Sequence, residues 1–387
     1  MESNPNARLI SDPINIRYLT GFIGLAPEER EAYCLLINSQ VHLFISSLYI
    51  ETASNIVNQP QQDSNNPINK YTNKPIIVTA FSREKPIEKI LGEILKTNGI
   101  TTLEFEKYDI TVAEFEKLST ESSSFTLIPS FGKIEKMRMV KNIQEIKTIK
   151  KACALTDRCF SHLLTYIKAG QTESEIAWEI ESFFHKNGAS SSFSPIVAFN
   201  EHASQPHYAP NSKRPFDSAQ GDQDQRLKNR SLILIDFGAK LDGYCADMTR
   251  TVFLGTPKDE WVKAYETVLE AQTKALEYIH PKGVIAHLPG DFKISGAKAD
   301  EIAKKTITDA GYPAYPHGLG HGVGLAIHEA PRLSAARDET LLPGNVFSVE
   351  PGIYIEGKYG IRIEDLVVLT DTGAETLSKS EKGLTIL

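Results

Sequence analysis

The chain has 387 residues, 41% of them hydrophobic and 24% charged, with a net charge of -7 at pH 7. This is ordinary for a globular protein but long for a single core, so two domains are expected. The acidic balance and the lack of a long Lys/Arg run exclude the electrostatic footprint of a nucleic-acid-binding protein.

The polar start, "MESNPNARLISDPINIRYLTGF", has no apolar h-region, so no signal peptide is expected. The apolar stretch "AYCLLINSQVHLFISSLYI" is broken by Asn38, Gln40 and His42. It reads as two strands and a turn rather than a membrane span. "PIIVTAF" and "FTLIPS" read as further strands, and "EKPIEKILGEILKTNG" as an amphipathic helix with a glycine cap. Strands alternating with helices suggest a small α/β domain over residues 1–138. The polar stretch Asn58–Asn73 carries no nameable chemistry.

A second domain is expected over residues 139–387. "KNIQEIKTIKKACALTDRCFSHLLTYIKAG" has helical spacing, and Thr172 and Glu175 stand in capping-box register ahead of the next helix. Then come "SPIVAF", the polar stretch Ala209–Arg230 that reads as a flexible insertion, strand-like segments around two aspartates, two helices and a closing strand pair. Helices interleaved with hairpins predict an α+β fold with a curved antiparallel sheet. Cys34, Cys153, Cys159 and Cys245 form no CxxC and no disulfide framework. A reducing, cytoplasmic location is expected, with Cys245 a small buried hydrophobe.

Two hairpins concentrate carboxylates. In "LILIDFGAKLDGYCADMTR", Asp236 ends a run suited to full burial, where an unpaired charge is costly. Asp242-Gly243 signals a hairpin. A two-residue loop makes Asp236 and Asp247 diagonal neighbours on one face, and a four-residue loop sets them directly opposite. In "SVEPGIYIEGKYGIRIEDLVV", a three-residue turn at Glu356–Lys358 sets Glu350 opposite Glu364. Arg362 shares that face and could orient Glu364. Asp365 lies on the other face, as support or solvated, and Asp242 and Glu356 read as turn residues. Four such carboxylates repel in a low-dielectric site. Two divalent cations bridged by carboxylates, roughly 3.5–4 Å apart, would neutralise them, and one imidazole would complete the set.

"HGLGHGVGLAIHEAP" (His317–Pro331) holds three of the chain's 10 histidines and four glycines. It lacks the lysine and the strand-to-helix glycine pattern of a phosphate cradle. His42, His162, His185, His202, His280 and His287 read as ordinary surface or core residues.

Together, the aspartate hairpin, "HGLGHGVGLAIHE", "SVEPG" and "GIRIED" resemble the Xaa-Pro aminopeptidase (aminopeptidase P) and prolidase family, which shares a pita-bread fold with methionine aminopeptidases and creatinases. "ISDPINIRYLTGF" resembles the start of the creatinase-like N-terminal domain, and "MRMVKNIQEIKTIKKA" the start of the catalytic domain. The resemblance implies that Asp236, Asp247, His321, Glu350 and Glu364 bind two metals, with Asp247 and Glu364 bridging. It implies that Glu350 also shuttles protons, and that His328, His317 and His207 meet the substrate. His207 departs from the family spacing, since Ala209–Arg230 separates it from Asp236.

The implied activity is release of an N-terminal residue from peptides with proline second, by a hydroxide bridging the metals. Oxygen and imidazole ligands suit Mn2+, with Co2+ or Zn2+ as options. A homodimer acting on peptides, away from membranes and nucleic acid, is implied. One alternative is a prolidase restricted to dipeptides, for which Arg332 could meet the substrate carboxylate. Another is a pita-bread protein-binding module without activity, and a third a metal-free hydrolase of the creatinase type. The complete ligand set argues against the last two.

Overall fold

A computed structural model of the chain describes residues 7–24, 29–58, 75–120, 125–208, 225–280 and 293–387. Nearly all of Asn58–Asn73, residues 209–224 of the insertion, and His287 lie outside them. The chain divides into two units, Met1–Arg138 and Met139–Leu387. Among the described residues no helix is long and apolar enough to cross a membrane.

The first unit is built on a mixed six-stranded sheet. From edge to edge its strands are Ile77–Phe81, Gln40–Ser46, Ala32–Ile37, Ala7–Ile10, Thr102–Glu106 and Thr126–Ser130. The apolar stretch read as two strands forms the hairpin of Ala32–Ile37 with Gln40–Ser46, closed by Asn38 and Ser39 at φ 48° and 59°. A two-residue turn with both φ positive matches the twist of the strands it joins. The helix Ile87–Thr97 buries Ile87, Ile90, Leu91 and Leu95, spaced to form one face, and Gly99 at φ 65° follows its end.

Two buried glutamates of this unit, Glu104 and Glu106, are paired. Glu104 accepts from Arg8 Nε at 2.6 Å. Glu106 accepts from the backbone N–H groups of Ser11 and Asp12 at 2.7 and 2.8 Å, and from Asn15 Nδ2 at 2.6 Å. The "SDPIN" turn therefore wraps a buried carboxylate.

The second unit is α+β, with curved antiparallel sheets. Its helices Ile143–Tyr166 and Glu173–Lys186 both begin with complete capping boxes, Asn142 with Glu145 and Thr172 with Glu175. A three-stranded sheet runs Met248–Leu254, Ser231–Phe237, Ile196–Phe199. A six-stranded sheet runs Arg337–Asp338, Glu329–Ser334, Gly320–Gly322, Val346–Val349, Asp365–Thr370, Gly373–Thr376.

The helices Asp259–Ile279 and Gly296–Asp309 bring Val268, Ala271, Ala275, Ala299, Ala303 and Ile307 into one apolar cluster with Val349, Ile353, Ile361 and Ile363 of the sheets. Full burial of each larger aliphatic is worth about 1.5–3 kcal/mol. This core sets a rigid floor beneath the four carboxylates.

Candidate metal centre

The first carboxylate hairpin turns at Asp242 and Gly243, with φ 49° and 83°, and pairs Leu241 with Tyr244. The same register continues to Met248 opposite Phe237 and Thr249 opposite Asp236. Asp247 therefore falls opposite Gly238, with Asp236 as its diagonal neighbour, which is the two-residue-loop arrangement. The strands approach closely here. A Cβ on Gly238 would lie 1.8 Å from the Ala246 carbonyl oxygen.

The second hairpin pairs Ile355 with Tyr359 across the three-residue turn Glu356–Lys358. Its register continues to Val349 opposite Asp365, so Glu350 and Glu364 face one another. Between the two ladders Pro351 interrupts the pairing. Glu350 N–H donates to Leu319 O at 2.8 Å and Glu364 N–H to Thr249 O at 3.1 Å. Each glutamate is thus tied to a different neighbouring segment.

His321 sits on the strand Gly320–Gly322, pressed against Ser348, whose carbonyl oxygen would lie 1.9 Å from a Cβ on Gly320. Its Nδ1 is 3.2 Å from Gly322 O. With the proton on Nδ1, Nε2 presents a lone pair, 3.3 Å from Glu350 Oε1 and 3.7 Å from Asp247 Oδ2. Ligand atoms of Asp247, His321 and Glu364 lie within 4.8 Å of one another.

The electrostatics are those of a crowded acidic cluster. Burial, then Glu364, Asp236 and Glu350, push the Asp247 carboxyl well above its usual range. Burial, then Glu350 and Asp236, do the same to Glu364. Burial raises Asp236 against the pull of Arg362. Burial would raise Glu350 too, but with His321 protonated, the hydrogen bond and charge of that ring, with His317 and Arg362, bring it to about 2. Among the described residues, Asp236 Oδ1 and Glu364 Oε1 are buried without a hydrogen-bond partner. Oxygens stranded in this way are costly unless a cation takes them, and the donor set fits hard or borderline divalent ions.

Arg362 corrects one expectation. Its guanidinium donates to Asp236 Oδ2 at 2.6 Å, while Glu364 Oε2 accepts from Thr249 Oγ1 at 2.7 Å. Arg362 also donates to Tyr354 Oη at 2.8 Å, and that hydroxyl lies 3.1 Å from His317 Nε2. The other His317 nitrogen is 2.8 Å from Gly318 O. The Tyr354 hydroxyl accepts from Arg362 and so can donate to His317. Burial lowers the pKa of His317, only partly countered by Glu350.

The His328 ring lies edge-on to His321, with centroids 4.4 Å apart. Burial, then His321 and Arg332, lower its pKa to about 4. His207 is exposed and borders the same cavity. That cavity, of about 890 Å³, is bordered by all eight residues named from the sequence, and by Arg332, Arg337, Phe193 and Ile196.

Asp365 is buried beneath the site, 2.7 Å from both Arg250 and Lys382, and is not solvated. Gln272 escaped the sequence reading. It is a fully buried amide at a core-facing position of Asp259–Ile279, between Val268 and Ala275, and a lone amide on an apolar helix face was the available signal.

A curved antiparallel α+β unit that gathers carboxylates and histidines around one cavity has the features of a metal-dependent enzyme. The chain belongs to metallopeptidase family M24, whose model matches residues 147–371, and residues 2–140 match the creatinase/prolidase N-terminal domain. Its second unit therefore has the pita-bread architecture, and its first is the creatinase-like one. The chain is 33% identical over 382 residues to an uncharacterized peptidase, YqhT, of Bacillus subtilis (strain 168), covering 98% of this chain and 95% of that one. It is similar to the structure of an Xaa-Pro dipeptidase from Bacillus anthracis, with a TM-score of 0.81, 32% identity, and 99% and 95% of the two chains covered. An X-Pro aminopeptidase structure from Thermotoga maritima MSB8 gives a TM-score of 0.79 and 30% identity, covering 99% and 98%.

Proposed function

We propose that this metallopeptidase hydrolyses the Xaa-Pro bond at peptide N-termini as an aminopeptidase. The metal centre of this proposal rests on the pair of stranded oxygens, Asp236 Oδ1 and Glu364 Oε1, in one cavity with His321, His328 and His317, and the similarity to an Xaa-Pro dipeptidase and an X-Pro aminopeptidase supports the substrate class. Asp236, Asp247, His321, Glu350 and Glu364 would hold two divalent ions, Mn2+ being the best match to oxygen and imidazole donors. When bound, such ions supply Lewis acidity at a peptide carbonyl and make water acidic enough to react near neutral pH.

The chain's own groups do the rest. Glu350, a carboxylate beside His321 in the cavity, can take a proton and pass it to the leaving proline nitrogen. His328, held down to about 4, is neutral and can donate to the carbonyl oxygen as negative charge develops there. His317, fixed by Gly318 and Tyr354, and His207, at the cavity edge, would orient the peptide.

The cavity volume of about 890 Å³ supports the aminopeptidase reading, because it leaves room beyond a dipeptide. A second reading, a dipeptidase, is supported by Arg332, which borders the cavity beside His328 and could meet a free carboxylate. Turnover of Xaa-Pro and Xaa-Pro-Xaa by the Mn2+-loaded protein separates the two. Faster cleavage of the longer peptide supports the aminopeptidase, and cleavage of the dipeptide alone, lost in Arg332→Ala, supports the dipeptidase. No cleavage of any Xaa-Pro substrate overturns both.

A further inference from the structure

We infer that Gln272 is a positioning residue for the metal centre, bridging the broken rung of the hairpin from which Glu350 and Glu364 project. The inference rests on the reading of those two glutamates as metal ligands.

The hairpin is zipped on both sides of the glutamates. Val349 pairs with Asp365 on one side and Gly352 with Arg362 on the other. Between these rungs the ladder is interrupted, because Pro351, opposite Ile363 in this register, has no N–H to donate, while the Glu350 and Glu364 N–H groups point outward to Leu319 O and Thr249 O. The Ile363 carbonyl therefore lacks its rung donor inside the core, and Gln272 reaches it together with the Val349 carbonyl. Its Nε2 donates to Val349 O at 3.0 Å and to Ile363 O at 3.3 Å. One amide thus spans the gap and fixes the distance between the backbones that carry Glu350 and Glu364.

The amide is itself held. Gln272 Oε1 accepts from Lys382 Nζ at 3.1 Å, and Lys382 donates to Asp365 Oδ2 at 2.7 Å. Asp365 pairs through its other oxygen with Arg250, whose guanidinium also donates to Thr249 O at 3.0 Å and to Glu364 O. The orientation of the amide follows from these partners, since two carbonyls need a donor and an ammonium needs an acceptor. An apolar residue here would satisfy the helix and the cluster around it equally well. A glutamine serves the interrupted hairpin specifically, and a fixed spacing between two carboxylates is what a metal pair demands.

The test is Gln272→Met, which keeps the length of the side chain and removes its donors. Val268→Ala, a buried position one turn earlier on the same helix, controls for simple loss of packing. Metal affinity is measured by calorimetry with Mn2+, and coordination by the visible absorption of the Co2+-loaded protein. The expected result is binding weaker by roughly tenfold to a hundredfold and an altered Co2+ spectrum in Gln272→Met. Val268→Ala should keep the wild-type affinity and spectrum. Wild-type affinity and spectrum in a folded Gln272→Met overturn the inference, as does the same loss in Val268→Ala. A wild-type protein that binds neither metal overturns the metal-centre reading itself. Wild-type metal binding without peptide cleavage overturns only the proposed activity.

Discussion

The Arg362 guanidinium donates to Asp236 Oδ2 at 2.6 Å and, through its other nitrogens, to Thr249 Oγ1 at 2.9 Å, Tyr354 Oη at 2.8 Å and Pro206 O at 3.3 Å. One side chain ties both carboxylate hairpins to the segment that carries His207. The planar fork of arginine makes this possible, and a lysine offers one ammonium in place of it. Arg362→Lys should therefore keep the charge but lose the alignment. Its kcat/KM on Xaa-Pro peptides should fall roughly tenfold to a hundredfold, as for other groups that orient metal ligands. Undiminished kcat/KM in steady-state assays would show that charge alone suffices.

The acidic cluster makes a prediction about metal removal. Without cations, burial and the neighbouring carboxylates drive Asp247 and Glu364 toward the protonated form. Glu364→Gln removes one charge and can still accept from Thr249 Oγ1, which donates to Glu364 Oε2 at 2.7 Å. In EDTA at pH 7.5 the variant should melt above the wild type. With Mn2+ the order should reverse, because ligand binding at a hundredfold excess over Kd adds about 2.7 kcal/mol to the protein that binds it. A variant that melts below the wild type in EDTA counts against an uncompensated acidic cluster.

What the sequence revealed of the site was parity. Asp242-Gly243 and Glu356–Lys358 determine the register of two hairpins, and a period of two residues then places each carboxylate pair on one face. Partner choice between hairpins was not legible, since Arg362 could reach either Glu364 or Asp236 until the sheets were placed side by side. The strand Thr102–Glu106 went unread for a similar reason. Its glutamates look solvated until Arg8 and Ser11, 96 and 95 residues distant in sequence, fold against them. Gln272 was hidden because a single amide on a helix carries no spacing signal, and its role depends on a gap in a distant hairpin.

Lys141 and Glu329 form an ion pair of 2.7 Å, with side chains only 1% and 4% exposed. Glu329 follows His328 directly, and Gly324 leaves space for the pair, since a Cβ there would lie 2.4 Å from Glu329 Oε1. Removing one buried partner strands the other charge, at a cost of about 3–5 kcal/mol, whereas replacing both with apolar groups is often neutral. Lys141→Met should therefore lower the unfolding free energy by that amount in a urea titration, and Lys141→Met/Glu329→Leu should recover most of it. A double variant no more stable than the single one would contradict the pairing.

Glu114 sets the acid response of the first unit. Burial raises its pKa, but hydrogen bonds from Arg30, from the Thr111 N–H and from Tyr33 outweigh this and bring it to about 2. Arg30 Nε lies 2.8 Å from Glu114 Oε1, and Tyr33 Oη donates to the same oxygen at 2.9 Å. A carboxyl whose folded pKa lies below its unfolded value stabilises the fold fully above the unfolded value, near 4.5, and that stability drains away as pH falls through about 2. Wild type should thus exceed Glu114→Gln in melting temperature at pH 6, with the gap narrowing steadily between pH 4.5 and 2. Scanning calorimetry across that window tests the assignment. A gap that stays constant with pH would mean that ionisation of Glu114 contributes nothing to it, and that the gap comes from replacing the carboxyl as such.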